Sequence, residues 1–108
     1  MKKQGLHIIA RNVREGRGEI DLVALEGRTL VFVEVKSRTA GSRAGVTGLE
    51  KLGPEKLRAL RRACVLYRKR TRNDADAWRL DAVTVEFEAG TWRRRIREVR
   101  WYPAVAEL

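Results

Sequence analysis

Seven residues, Leu30-Val-Phe-Val-Glu-Val-Lys36, constrain the fold more than any other stretch of this chain. The run is strongly β-forming, with Val31, Val33 and Val35 alternating against Leu30, Phe32, Glu34 and Lys36. Both faces are largely apolar, which predicts a central strand covered on each side. Glu34 and Lys36 stand where such a strand should carry hydrocarbon. Charges there are costly unless something binds them.

A second run of this kind precedes it. Glu19 to Leu25 is predicted to place Ile20, Leu22 and Ala24 on one face and Glu19, Asp21, Val23 and Leu25 on the other. The two runs are close in sequence, so an antiparallel hairpin is expected. A two-residue turn at Glu26-Gly27 would set Asp21 opposite Phe32 and Glu19 opposite Glu34. A four-residue connection, Glu26 to Thr29, would set Asp21 opposite Glu34 and Glu19 opposite Lys36. Both registers keep the four polar groups on one face. Opposed β-carbons lie about 4.5–5.5 Å apart and diagonal ones about 7–8 Å, so either register lets Asp21 and Glu34 share one cation.

Paired carboxylates without a cation repel one another. A hard, oxygen-seeking ion such as Mg²⁺ removes that penalty. It could polarise a phosphoryl oxygen and acidify a bound water. Lys36, two residues beyond Glu34, could orient that water or neutralise charge building on phosphorus. The bland alternative is a structural salt-bridge cluster of Glu19, Asp21, Lys36 and Arg38.

The remaining elements follow from periodicity and punctuation. Leu6 to Val13 is a first strand, and Gly16 and Gly18 flank Arg17 in a turn. Residues 38 to 53 hold Gly41, Gly45, Gly48 and Gly53 and read as a loop without a phosphate-binding glycine motif. Pro54 suits the first turn of a helix, along which Leu57, Leu60, Cys64 and Tyr67 form an apolar stripe among basic residues. Cys64 is expected to be a buried small hydrophobe and His7 a structural residue. Leu80 to Phe87 and Trp92 to Val99 are further strands, and Trp101-Tyr102-Pro103 is expected to leave regular structure. Asp81 is expected to pair with Arg79 or another nearby arginine. Trp92, Trp101 and Tyr102 could stack on unpaired bases, but covering a sheet edge or making a subunit contact is favoured.

The 108 residues suit one domain, and 44% hydrophobic with 35% charged content is globular. Twenty-four Lys and Arg against fourteen Asp and Glu leave a net charge of +10, which favours a polyanionic partner such as nucleic acid. A single cysteine excludes an internal disulfide and a cysteine-based zinc site. No apolar stretch approaches membrane-spanning length and no signal-peptide core is present, so no membrane partner and a cytoplasmic location are expected.

These residues resemble the PD-(D/E)xK, or restriction-endonuclease-like, nuclease superfamily, and within it the small YraN-type bacterial family related to archaeal Holliday junction resolvases. Gly5 to Arg14 is similar to that family's first strand. Gly18-Glu19-Ile20-Asp21-Leu22 and Val31 to Arg38 are similar to its central signature. Lys56, with Leu60, Arg61, Arg62, Ala63 and Tyr67, resembles its helix, and Arg79 to Val83 its next strand. The likeness covers roughly residues 4 to 87 and is specific as a whole, although Glu-x-Lys alone is not.

The resemblance implies an α/β fold, a single endonuclease-like domain over residues 1–108 with a mixed central sheet of about five strands and a flanking helix. It implies Asp21 and Glu34 as metal ligands for Mg²⁺ or Mn²⁺, with the Val35 backbone carbonyl a third and Glu19 an accessory acid, an alternative ligand or else a partner for Arg17. Lys36 would be the catalytic lysine, and Lys56 would face the scissile phosphate or the backbone beside it. Arg17, Arg38, Arg43 and Lys56 are expected to meet nucleic acid. The expected activity is metal-dependent hydrolysis of DNA, branched or junction DNA included, by a homodimer, since resolving a junction needs two sites. Two departures stand out: the family's N-terminal helix, which carries a further glutamate, is largely absent, and the 38–53 loop lacks an aromatic residue before its glycine. A catalytically inactive nucleic-acid-binding module and a scaffold for an acidic protein are the competing readings.

Overall fold

The structure is a computed structural model that describes residues 5–39, 53–90 and 95–107. The glycines at 41, 45 and 48, Arg43, Trp92 and the start of the expected last strand lie outside the described residues, as do residues 1–4 and the Arg38 side chain. The described chain forms β1 (Leu6–Glu15), β2 (Gly18–Glu26), β3 (Thr29–Thr39), α1 (Pro54–Thr71), β4 (Ala77–Phe87) and β5 (Ile96–Glu107). The strands make one sheet in the order β1-β2-β3-β4-β5. β3 and β4 run parallel, and the other neighbours are antiparallel. Parallel neighbours need a crossover, and α1 lies in that connection. This is the mixed sheet with a flanking helix that the sequence implies, consistent with a restriction-endonuclease-like fold.

β3 is central, as its composition predicts. Phe32 and Leu30 turn toward α1, where they join Ile20, Val23, Leu60, Ala63, Cys64, Tyr67 and Leu80 in one buried cluster. Val31 and Val33 turn the other way, with Leu6, Ala24, Val83 and Val85. The Phe32 ring meets Tyr67 and Trp78 edge-on, with centroids 5.9 and 6.1 Å away. Such contacts add to area burial and fix the angle at which the helix lies on the sheet. Pro54 opens α1, and Arg72 ends it in a left-handed conformation (φ 52°), its N–H donating to the Arg68 and Lys69 carbonyls.

The hairpin between β2 and β3 adopts the register of the four-residue connection, with Leu22 opposite Val33 and Leu25 opposite Leu30. Glu26 and Thr29 also pair, so the turn itself is Gly27-Arg28, one residue later than Glu26-Gly27. Gly27 has φ +59°, the left-handed value that a tight hairpin asks of its first turn residue.

Two expectations are corrected. Simple alternation put Ile20 with Leu22 and Ala24, but Ile20 lies on the helix side while Leu22 and Ala24 face the other cluster. On β1, Ala10 and Val13 likewise share the helix side despite their odd spacing. Between them Asn12 is left-handed (φ 49°), next to the Arg11–Leu22 and Val13–Ile20 pairs. A left-handed residue rotates the strand and shifts the face of everything beyond it.

The second correction concerns Trp101-Tyr102-Pro103, which stays within β5 instead of leaving regular structure. The register slips by two residues between Leu80–Ala106 and Ala82–Tyr102, and Ala104 takes φ 50° in the resulting bulge. An edge strand tolerates proline at a bulge because no further strand needs its N–H. Asp81, fully buried on β4, holds the bulge in place. It accepts the Ala104 N–H at 2.7 Å, the Trp101 indole N–H at 2.8 Å and the Arg79 Nε–H at 3.0 Å. The Asp81–Arg79 pairing expected from the sequence is therefore present.

Candidate metal and phosphate site

The ladder of β2 and β3 runs from Glu26–Thr29 to Leu22–Val33. Beyond it a cavity of about 370 Å³ is lined by Asp21 and Glu19 of β2, by Glu34, Val35 and Lys36 of β3, and by Arg17 of the preceding turn. Lys56, Ala59 and Leu60 of α1 form its other wall. The structure thus brings together Asp21, Glu34, Lys36, Glu19, Arg17 and Lys56. Arg38 and Arg43 side chains lie outside the described residues. His7 is exposed on β1 and is not among the cavity's lining residues.

Glu34 is the pivot. It is only 5% exposed, yet it needs no apolar disguise because two ammonium groups reach the same oxygen. Lys36 Nζ lies 3.0 Å and Lys56 Nζ 3.2 Å from Glu34 Oε1. A buried carboxylate with paired cations is tolerated where a lone one is not. Asp21 is held differently: its Oδ2 accepts the Val35 N–H at 2.7 Å. Burial raises the Asp21 pKa above the usual aspartate value; the Val35 hydrogen bond opposes this, while the charges of Glu34 and then Glu19 reinforce it. Burial works against the Lys36 ammonium, but its bond to Glu34 and the charges of Glu34 and Asp21 win, leaving its pKa raised. Lys36 is therefore a cation at neutral pH, suited to stabilising negative charge and not to abstracting a proton.

Glu19 sits at the rim and pairs with Arg14 at 3.8 Å rather than with Arg17. The β1–β2 turn exposes Arg17, which has no ion pair with any described residue. Gly18, a turn residue by its surroundings in the sequence and part of the central signature by resemblance, has a packing role that neither reading named. A Cβ there would lie 2.6 Å from the Ala59 carbonyl oxygen and 2.8 Å from Ala63 Cβ, so glycine is what lets α1 approach β2 and carry Lys56 to Glu34. A glycine at a strand's start, facing a small-residue helix surface at Ala59 and Ala63, was the available signal.

Among the described residues no three His, Cys, Asp or Glu side chains group as a metal cluster. A cation would have to be held by two carboxylates and backbone oxygen. The donors suit that: Asp21 and Glu34 each engage protein partners through one oxygen, leaving Asp21 Oδ1 and Glu34 Oε2 as acceptors among the described residues. The Val35 carbonyl leaves the strand on the side of its N–H, toward Asp21. Hard oxygen donors of this type fit Mg²⁺ or Mn²⁺, with water completing the shell. The raised Asp21 pKa, due first to burial and then to the charges of Glu34 and Glu19, marks a carboxylate whose ionisation a bound cation would favour.

Residues 1–85 match the family described as "Uncharacterised protein family UPF0102". A UPF0102 protein of Mycolicibacterium vanbaalenii is 39% identical over 102 residues, covering 94% of this chain and 79% of the relative. One from Symbiobacterium thermophilum is 49% identical over 82 residues, covering 76% and 68%. One from Magnetococcus marinus is 41% identical over 101 residues, covering 89% and 77%. With most of its length matched and several relatives of this identity, the chain belongs to the uncharacterised protein family UPF0102.

Proposed function

We propose that this protein is a metal-dependent endonuclease of the PD-(D/E)xK type, hydrolysing phosphodiester bonds of DNA, branched or junction DNA included. The observation that carries this reading is the convergence of Asp21, Glu34 and Lys36 at the end of the β2–β3 ladder, in a cavity that also holds Lys56 and Arg17. Asp21, Glu34 and the Val35 carbonyl would hold Mg²⁺ or Mn²⁺, which when bound supplies Lewis-acid polarisation of the phosphoryl oxygen and acidifies water. Lys36 keeps its proton and neutralises negative charge growing on the phosphorus. Arg17, without an ion-pair partner among the described residues, binds the phosphate beside the one attacked, and Lys56 does so from the helix side. The chain's net charge of +10 makes affinity fall steeply with salt.

Cleavage of labelled duplex, flap, single-stranded and four-way-junction DNA in Mg²⁺ or Mn²⁺ tests this directly, with Glu34→Ala and Lys36→Ala beside the wild type. Cutting lost in both variants supports the nuclease. Tight binding without cutting, unaffected by either substitution, sinks it. That result would favour an inactive nucleic-acid-binding module, a reading supported by the two lysines that already neutralise Glu34 and by the absence, among the described residues, of three acids close enough to group around one metal ion.

A further inference from the structure

Among the described residues β5 ends the sheet, and Ile96 to Arg100 in its first half are all exposed. Two large apolar side chains stand out there, Ile96 at 61% and Val99 at 44% exposure. They pair with Phe87 and Val85, so both belong to the sheet face opposite α1, the bulge between them accounting for their odd spacing. A long edge strand is normally blunted by charge, proline or a bulge. Pro103 and the bulge at Ala104 interrupt the second half, and the slip between the Glu86–Glu98 and Phe87–Ile96 pairs interrupts the strand before Glu98. From Glu98 to Arg100 the strand is regular, with its outer backbone groups unclaimed by any described strand.

We propose that this edge is closed by a second copy of the chain, β5 pairing antiparallel with β5 of the partner about a two-fold axis at Val99. Charge selects both the occupant and the register. A two-fold perpendicular to the sheet keeps each side chain on its own face, so the axis must pass through a residue and not between two. Centring it on Glu98 or on Arg100 would oppose like charges, which is unfavourable across a ladder. Centring it on Val99 opposes each Glu98 to the other copy's Arg100, and Val99 to Val99. Glu98 and Arg100 already pair within one chain at 3.0 Å. The dimer then carries four charges that alternate both along the strands and across them. The sheet becomes ten strands wide, and the two β3 strands lie five inter-strand steps apart across it, roughly 24 Å.

Dimerisation through β5 asks nothing of the cavity's chemistry, so a failed cleavage assay and a failed dimer are separate results. Sedimentation velocity of the full chain across a wide concentration range should show a reversible dimer. Glu98→Arg and Arg100→Glu should each weaken it about tenfold, since each reversal is felt twice across the axis, and the double reversal should restore it. Val99→Cys should cross-link under mild oxidation, because opposed residues meet disulfide spacing, while the native Cys64 is buried. Thermal melts of each variant show whether the fold is intact. A wild type that stays monomeric overturns the proposal and leaves the edge to an extended peptide. A dimer indifferent to the charge reversals, or one that Val99→Cys fails to link, overturns it in favour of another surface.

Discussion

Val35 donates its backbone N–H to Asp21 Oδ2 at 2.7 Å, two residues past Val33, the last β3 residue that pairs with β2. The carboxylate stands in for a strand partner. It splits the sheet where the cavity opens and turns the backbone of β3 toward its own acid. One bond thus positions Asp21, Val35 and the next residue, Lys36.

That bond separates the structural from the electrostatic role of Asp21. In Asp21→Asn the amide oxygen can still accept the Val35 N–H, while the charge that burial, Glu34 and Glu19 disfavour is gone. The variant should melt a few degrees higher than wild type in chelator, the usual exchange of stability for function. Mg²⁺ should raise the wild-type Tm and leave the variant's unchanged. A variant that is less stable in chelator would mean that Asp21 is paired favourably rather than strained.

Gly18→Ala tests the seat of the helix. The nearest atom to the new Cβ would be backbone, the Ala59 carbonyl at 2.6 Å, which cannot swing aside as a flexible side chain can. Overpacking of this kind costs about 1–3 kcal/mol. Urea midpoints should fall accordingly, and the variant should lose cleavage as Lys56 is drawn away from Glu34. Full activity with an unchanged midpoint would show that α1 shifts without consequence.

What the sequence made legible is what one strand carries by itself. The two apolar faces of β3, its central place, and the stripe of Leu57, Leu60, Cys64 and Tyr67 on α1 depend on local periodicity. The convergence of Asp21 with Glu34 survived either hairpin register for the same reason. The rest depended on tertiary contact. Ile20 lies on the helix face beside the left-handed Asn12 of the neighbouring strand, and no alternation rule anticipates a single residue of that kind. Pro103 marked the end of a strand until a buried Asp81 supplied partners for the bulge beyond it. Gly18 looked like turn punctuation because its neighbours Ala59 and Ala63 lie more than forty residues away.

Asp81→Ala should be among the most destabilising single changes in the described chain. It strips partners from Arg79, from the Trp101 indole and from the Ala104 N–H together. Removing one side of a buried pair costs roughly 3–5 kcal/mol. Asp81→Asn, able to accept some of these bonds, should fall between the two. Equal midpoints for wild type and Asp81→Ala in urea would show that β5 is held by its ladder alone.

Cys64 gives the pH dependence a definite sign. Burial against the sheet pushes its thiol from 9.0 up to about 12. Below pH 9 the thiol is protonated whether the chain is folded or not, so it contributes nothing to pH dependence. Between pH 9 and about 12 the unfolded chain loses a proton that the folded chain keeps, and stability falls as pH rises. Tyr67, raised chiefly by its own burial, acts in the same direction, so the wild-type curve alone does not isolate the thiol. Cys64→Ala isolates it. At pH 8 the variant should be less stable by about 1 kcal/mol, the cost of a small cavity at a fully buried position. By pH 10 to 11 that deficit should shrink, because the variant no longer carries the ionisation that favours the unfolded chain. Urea midpoints of both proteins at the two pH values check this, with thiol labelling of the native wild type expected to be slow throughout. A deficit that stays constant with pH would mean that the Cys64 thiolate is accommodated in the fold.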